Sequence, residues 1–298
     1  MLKKITVNLC FLFLFSLPLF AQGSFDLIRV DTKGKGKNLE ILAETAKPLT
    51  DRVGYDNQPN FINDQELVFS AADDQGNHDI ILYNFSTKNF TNLTKTADRS
   101  EYSPSITDCK QYIAAVVVEP GGAQRLWLYP INLGEPELLY DDIEPVGYYD
   151  WYDNKAAMFV LGEPNSLTYA RGRGDLVSMD QNIGRSVKRR PKTSEITYLS
   201  KEDVQTKPDG VALELRAFDL KTNRKSELGL GLAGSEDFIW VDKKSILMAR
   251  GNEIFIRRIN ENTWSKLAEI SLLSHQNISR MAYSEDLEVL ILVMERNQ

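Results

Sequence analysis

Cysteine and histidine are nearly missing from this chain of 298 residues, with two of each. Cys10 lies in an apolar N-terminal run, which leaves Cys109 as the only cysteine after it. Once that run is removed no disulfide can form within the chain, and the fold must rest on burial and hydrogen bonding. A zinc site or a histidine-rich lyase-type metal site has too few nitrogen and sulfur ligands to draw on. No Gly-x-Ser-x-Gly elbow joins His78 or His275 to a serine nucleophile. Positive charge is short as well: 35 Lys and Arg stand against 42 Asp and Glu, a formal net charge of -7. An acidic chain is a poor general partner for nucleic acid, whose phosphates need a basic face. The apolar run at residues 9–17 falls short of the roughly 20 residues a membrane span needs.

What is present begins with that run. Lys3 and Lys4 precede it and Pro18-Leu19-Phe20-Ala21 follow it, which is the shape of a secretory signal peptide. Cleavage after Ala21 leaves a mature chain of residues 22–298 with a charge of 33 minus 42, or -9. Val7-Asn8-Leu9 before Cys10 lacks the small-residue pattern of a lipoprotein signal. The expectation is a periplasmic or secreted protein, a single domain with no stable membrane insertion after signal cleavage. The sequons at Asn84, Asn89, Asn92 and Asn277 matter only in a eukaryotic secretory pathway.

Short runs rich in Val, Ile, Tyr and Phe recur after the leader, bounded by Asp, Asn, Gly and Pro. Residues 66–70, 80–83, 112–118, 125–129, 156–161, 195–199, 246–249, 253–256 and 288–293 are such runs. They predict strands at close spacing. A repeat underlies them. Gln58-Pro59-Asn60-Phe61 overlays Ser103-Pro104-Ser105-Ile106, and both overlay Tyr148-Tyr149-Asp150-Trp151, at a step of 45. A polar turn, an apolar strand, a second turn and further strands follow each copy. A period near 45 with four short strands predicts propeller blades. Starts near residues 59, 104, 149, 187, 238 and 281 make six. The last copy has room for two strands before Gln298, and residues 25–31 and 39–42 read as a third and fourth strand without a first pair. Joining the chain ends in one blade closes the ring and removes two sheet edges. The predicted fold is therefore all-β, a six-bladed β-propeller of four-stranded blades with the N- and C-terminal strands sharing one blade.

The stretch Pro104-Ser105-Ile106-Thr107-Asp108-Cys109-Lys110-Gln111-Tyr112-Ile113-Ala114 resembles the repeat of TolB-like six-bladed propellers. Ile106 stands where that repeat has Trp, and Asp108-Cys109-Lys110 stands for its Pro-Asp-Gly turn. Leu49-Thr50 and Leu93-Thr94 resemble the Leu-Thr that ends the preceding blade, and His78-Asp79-Ile80-Ile81-Leu82 resembles its Asp-Ile-Tyr strand. The resemblance implies an exported, non-enzymatic protein that takes part in protein or envelope interactions. Related propellers act as lyases or sit beside hydrolase domains.

Several residues invite chemistry. Cys109 has Asp108 and Lys110 beside it and no histidine supplied by motif, so it reads as a turn residue. The stretch 73–79 is acidic, but its offsets miss the calcium-loop pattern, and it reads as a polar hairpin. Arg173-Gly174-Asp175 reads as a turn rather than an adhesion signal. The basic run 185–192 reads as a solvated edge or, if it opens blade five, as a strand with basic side chains facing the tunnel. An anion or acidic peptide would bind there, where a narrow cavity focuses the field.

The loops leading into the innermost strands hold the candidate binding residues: Tyr55, Asp56, Arg99, Glu101, Tyr102, Tyr148, Trp151, Arg185, Glu236, Asp237 and Arg280. Tyr, Trp and Arg dominate binding hot spots. The reading favoured is a monomeric propeller without cofactor or metal that binds a protein or peptide of the cell envelope at one tunnel mouth. The alternative is a carbohydrate- or peptide-acting enzyme, lyase or hydrolase, at the same mouth. Asp56, Glu101, Asp150 and Asp237 are the carboxylates on offer for it, and glycosidase chemistry needs a pair about 5–9.5 Å apart.

Overall fold

Each apolar run identified in the sequence forms a strand, and the polar clusters between them form the turns. The computed structural model describes residues 23–132 and 134–297; the signal-peptide expectation for residues 1–21 lies outside the described residues. Six four-stranded antiparallel sheets form the blades. Gly36–Asn38, a single 3-10 turn, is the only helical element among the described residues. Blades are numbered here from the one that holds both chain ends.

In blade 1 the sheet order from rim to axis is Glu40–Pro48, Phe25–Lys33, Val289–Arg296, His275–Ser284. Seven consecutive residues of the N-terminal strand, from Phe25 to Asp31, pair with Glu295 back to Val289. The shared blade is therefore as predicted, and the ring has no open seam. The inner strands of blades 2 to 6 are Asp56–Phe61, Ser100–Ile106, Val146–Tyr152, Ile183–Arg189 and Phe238–Trp240. Blade 5 opens at Ile183, four residues before its expected start, so the basic run belongs to an inner strand.

The repeat preserves a defect as well as a strand. Register shifts fall between Asn57 and Asn60, between Tyr102 and Ser105, between Ile183 and Val187, and between Ile278 and Arg280. These are β-bulges, which kink a strand and re-aim its side chains. In blades 2 and 3 the bulge residue, Gln58 or Ser103, has φ of 58° or 51°. Each is followed by proline, which has no N–H to leave unpaired where the ladder breaks. The step of 45 residues thus aligns bulge with bulge. The Gln58 side chain accepts the Ser103 N–H at 2.7 Å, tying the two bulges together across the blade boundary.

Packing between blades fills the ring with apolar side chains. One cluster joins blade 1 to blade 6 through Ile28, Leu290, Leu292, Ile239 and Leu247, all buried. Another joins blades 3 and 4 through Ala114, Val116, Met158 and Trp151. Alternation along the second strands produces this: Tyr112–Val118 and Lys155–Val160 bury nearly every residue, being covered on both faces by neighbouring blades.

Candidate functional site

The bulged inner strands converge on the ring axis, where one narrow cavity of about 50 Å³ takes lining residues from all six blades. A water molecule occupies about 30 Å³ in the liquid, so the tunnel admits small groups and not whole side chains. Gln58 and Pro59, Ser103 and Pro104, Tyr148, Arg185 and Lys188, Asp237, and Arg280 line it. Most of these sit at or beside a bulge. Arg185 and Lys188 are three apart, which simple alternation would place on opposite faces; the bulge in their strand brings both to the axis.

At the entry mouth, aromatic and cationic groups from five blades meet. Arg280 lies over the Tyr148 ring, with Cζ 5.0 Å from its centroid, and donates to Tyr148 Oη at 2.9 Å. Asp237 Oδ1 is 3.9 Å from Arg280 Nη1, too far for a hydrogen bond. Burial pulls the Arg280 guanidinium down, but Asp237, Tyr148 and Tyr55 more than offset this, and it sits above its ordinary pKa. Burial pushes the Tyr55 hydroxyl up to about 12 against the pull of Arg280 and Arg185, so it stays a neutral donor. Tyr55 packs edge-on against His78 and Tyr102, at centroid distances of 5.0 and 6.4 Å. Tyr102 Oη lies 3.0 Å from His78 Nδ1. His78 was expected in a hairpin turn; it opens the third strand of blade 2 and is 3% exposed, and burial lowers its pKa.

Of the eleven candidate residues, Tyr55, Tyr102, Tyr148, Arg185, Asp237 and Arg280 therefore come together. Of the other five, Glu236 lines an adjoining cleft and the remaining four are placed elsewhere. Asp56 is fully buried and held by Arg52, whose Nε donates at 3.1 Å; burial raises its pKa and Arg52 opposes the rise. Glu101 is also fully buried, accepting from Thr96 at 2.7 Å and Tyr129 at 3.0 Å, and burial raises its pKa. Arg99 stacks over Trp127 and pairs with Asp98. Glu236 is exposed and pairs with Lys201 at 3.1 Å. Trp151 is buried between blades 3 and 4, donating to Ser105 Oγ at 3.1 Å. Asp150 accepts the N–H groups of Trp151 at 2.7 Å and Arg189 at 2.6 Å, and burial raises its pKa.

The lower half of the basic run is sewn into the opposite face of the ring. Arg189 pairs with Asp108 at 3.0 Å and covers Tyr152; Arg190 pairs with Glu195 at 2.6 Å and covers Trp240. Cys109 is exposed in its turn, with Thr107 Oγ1 3.3 Å from the sulfur. Asp73 Oδ1 accepts the N–H groups of Gln75 and Asn77 at 2.8 and 2.9 Å, a polar hairpin. No group of three or more metal-ligating side chains occurs among the described residues.

Two features of the mouth escaped the sequence reading. Gln58 and Ser103 served to frame the repeat, although the same residues line the tunnel. The second and third strands of blade 5, Glu195–Lys207 and Gly210–Asp219, run past the blade as a hairpin arm whose residues 202–207 are exposed. The arm leans on the loop before blade 6. Gly234 N–H donates to Val211 O at 2.9 Å, and a Cβ on Gly210, at φ of 122°, would meet Gly234 Cα at 3.0 Å. Pro208-Asp209-Gly210 between two β-branched runs was the available turn signal.

No protein-family model matches the chain, and no curated protein matches it. Solved structures do resemble it. A putative TolB from Agrobacterium tumefaciens superposes with a TM-score of 0.65 at 9% identity, over 93% of this chain and 99% of that one. A chain of a nidogen/laminin complex gives 0.60 at 10% identity, over 83% and 94%. An oligogalacturonate lyase from Vibrio parahaemolyticus gives 0.51 at 12% identity, over 92% and 98%. At these identities the likeness is one of fold alone, and a putative TolB is among the structures that share it.

Proposed function

We propose that this chain is an exported, non-catalytic propeller that binds a protein or peptide partner of the cell envelope through the entry mouth of its tunnel. One observation carries the reading: Tyr148, Arg185 and Arg280 line one concave opening, and Tyr55 and Tyr102 pack beside them, so that five different blades contribute. Amphipathic aromatics and arginine around a concave, partly desolvated centre are what binding hot spots are made of. The exposed arm of blade 5 adds a wall beside that opening, with Val204 and Val211 presented to solvent. Export, to the periplasm or beyond, follows from the leader pattern of Lys3, Lys4 and residues 9–17. The chain is read as a monomer that needs no cofactor.

The enzyme reading finds less support. Asp56, Glu101 and Asp150 are each committed to hydrogen bonds within the blades. Only Asp237 reaches the tunnel, and it does so beside Arg280.

Affinity capture from the native envelope tests the binding reading, with Tyr55→Ala and Tyr148→Ala as comparison baits. A partner recovered by the wild type and lost with both variants is the expected result. Equal recovery by all three baits would place the interface elsewhere. Trp151→Ala does not serve in this role, because it empties a packed position between two blades.

A further inference from the structure

We infer that the tunnel seats one carboxylate carried by an extended peptide, whose chain leaves through the cleft between blades 6 and 1. The inference rests on the binding reading above and says what chemical group enters the tunnel. Charge is the first argument. Arg185, Lys188 and Arg280 line the cavity against Asp237 alone. Counting Asp150, which acts on Lys188 from behind, one positive charge is still left over. A surplus cation held away from water is costly until an anion joins it.

Unused donors are the second argument. Arg185 Nε and Ser103 Oγ are buried and have no hydrogen-bond partner. The one hydrogen bond of the Arg185 guanidinium runs from Nη2 to Ser279 O at 3.4 Å. Buried polar atoms are ordinarily satisfied, so two orphans from blades 3 and 5 on one cavity point to a missing acceptor. A planar guanidinium suits an oxyanion with two oxygens in its plane.

Size and charge select the anion. The tunnel holds about 50 Å³, but it opens into a cleft of about 220 Å³ that shares Arg185, Asp237 and Arg280 and adds Arg250, Asn277 and Glu236, the last paired with Lys201. A carboxylate tip fits the first space and a few residues of chain fit the second. A phosphate, with charge near -2, would exceed the surplus and face Asp237.

The test titrates the wild-type mature protein with four probes at constant ionic strength, by calorimetry or protein-observed NMR. Ac-Gly-Gly-Glu-NH2 offers a side-chain carboxylate and Ac-Gly-Gly-Gly-OH a terminal one. Ac-Gly-Gly-Gln-NH2 offers neither, and inorganic phosphate offers the competing anion. At least one acid should bind 10-fold or more tighter than the Gln peptide, and the stronger acid identifies the source of the carboxylate. Arg185→Met should cut that affinity at least 10-fold, and Ser103→Ala a few-fold. Should Arg185→Met fail to fold, the wild-type comparison of acid with amide and the Ser103→Ala variant still decide. Equal binding of acid and amide, or tighter binding of phosphate, would overturn the carboxylate. Neither result touches the capture experiment with Tyr55→Ala and Tyr148→Ala, so the two readings fail separately.

Discussion

Two buried charge clusters in this molecule are built to opposite plans. In the closing blade, Asp26 is fully buried and has four partners. His275 Nε2 lies at 2.8 Å and Arg296 Nη2 at 2.6 Å, while Thr50 Oγ1 and the Arg52 N–H donate at 3.3 and 3.2 Å. His275 is the first residue of the inner strand of that blade and 1% exposed. The cluster ties residues 26 and 50–52 to residues 275 and 296, which is the joint between the two chain ends. At the tunnel, by contrast, cations outnumber carboxylates. A carboxylate with every neighbour donating to it marks the cluster that holds the ring shut, although Arg296 Nε there has no partner among the described residues; an excess of cations over carboxylates marks the tunnel.

Breaking the joint should have the largest effect. Deleting residues 22–45 removes the outer pair of strands from blade 1 and exposes the apolar face of Val289–Arg296. The cooperative thermal transition should vanish; a truncated protein with the full melting temperature would disprove the closure. Next comes Asp26→Ala, which leaves His275 and Arg296 buried without their acceptor. Loss of one member of a buried ionic cluster costs about 3–5 kcal/mol, readable by urea denaturation. Arg185→Met, made in the other cluster, should stay within about 1 kcal/mol of the wild type, since replacing a poorly paired buried ion by an apolar group is often neutral. A loss as large as that of Asp26→Ala would make the tunnel a structural cluster too.

The smallest expected effect is a change of slope with pH. Burial raises the Glu101 pKa in the folded state, with Thr96 and Tyr129 opposing. Its ionisation therefore weighs against folding: its contribution is fully favourable below the unfolded carboxylate pKa of about 4.3 and is lost as pH rises through the raised folded value. Relative to Glu101→Gln, the wild type should lose stability across that window and hold a constant difference above it. A wild type that gains on the variant over the same window would reverse the sign of the shift.

Legibility followed locality. The step of 45, the Pro59 and Pro104 positions and the half-blades at each end were readable because each blade repeats one local pattern of strand and turn. The candidate site was readable in part. Loops could be assigned to the entry face by counting strands, and Tyr55 and Asp237 lie just before their inner strands as that count expected, whereas Tyr148, Arg185 and Arg280 were expected in loops and lie within inner strands. Trp151 and Glu101 share the same loops or strands and turn away, because a bulge decides which side of the inner strand a residue takes. The bulges are stabilised by contacts such as Gln58 to Ser103, which join residues 45 apart.

The sequence by itself determined the all-β class, the six-fold repeat and the pairing of the two chain ends, since these follow from periodicity and turn chemistry within each 45-residue unit. Only the tertiary structure decided which charges would be spent in pairs and which would remain. Asp26 meets His275 across 249 residues, while the one hydrogen bond of the Arg185 guanidinium among the described residues goes to a carbonyl. Whether a buried charge has a partner depends on the blade that faces it, and no local pattern records that.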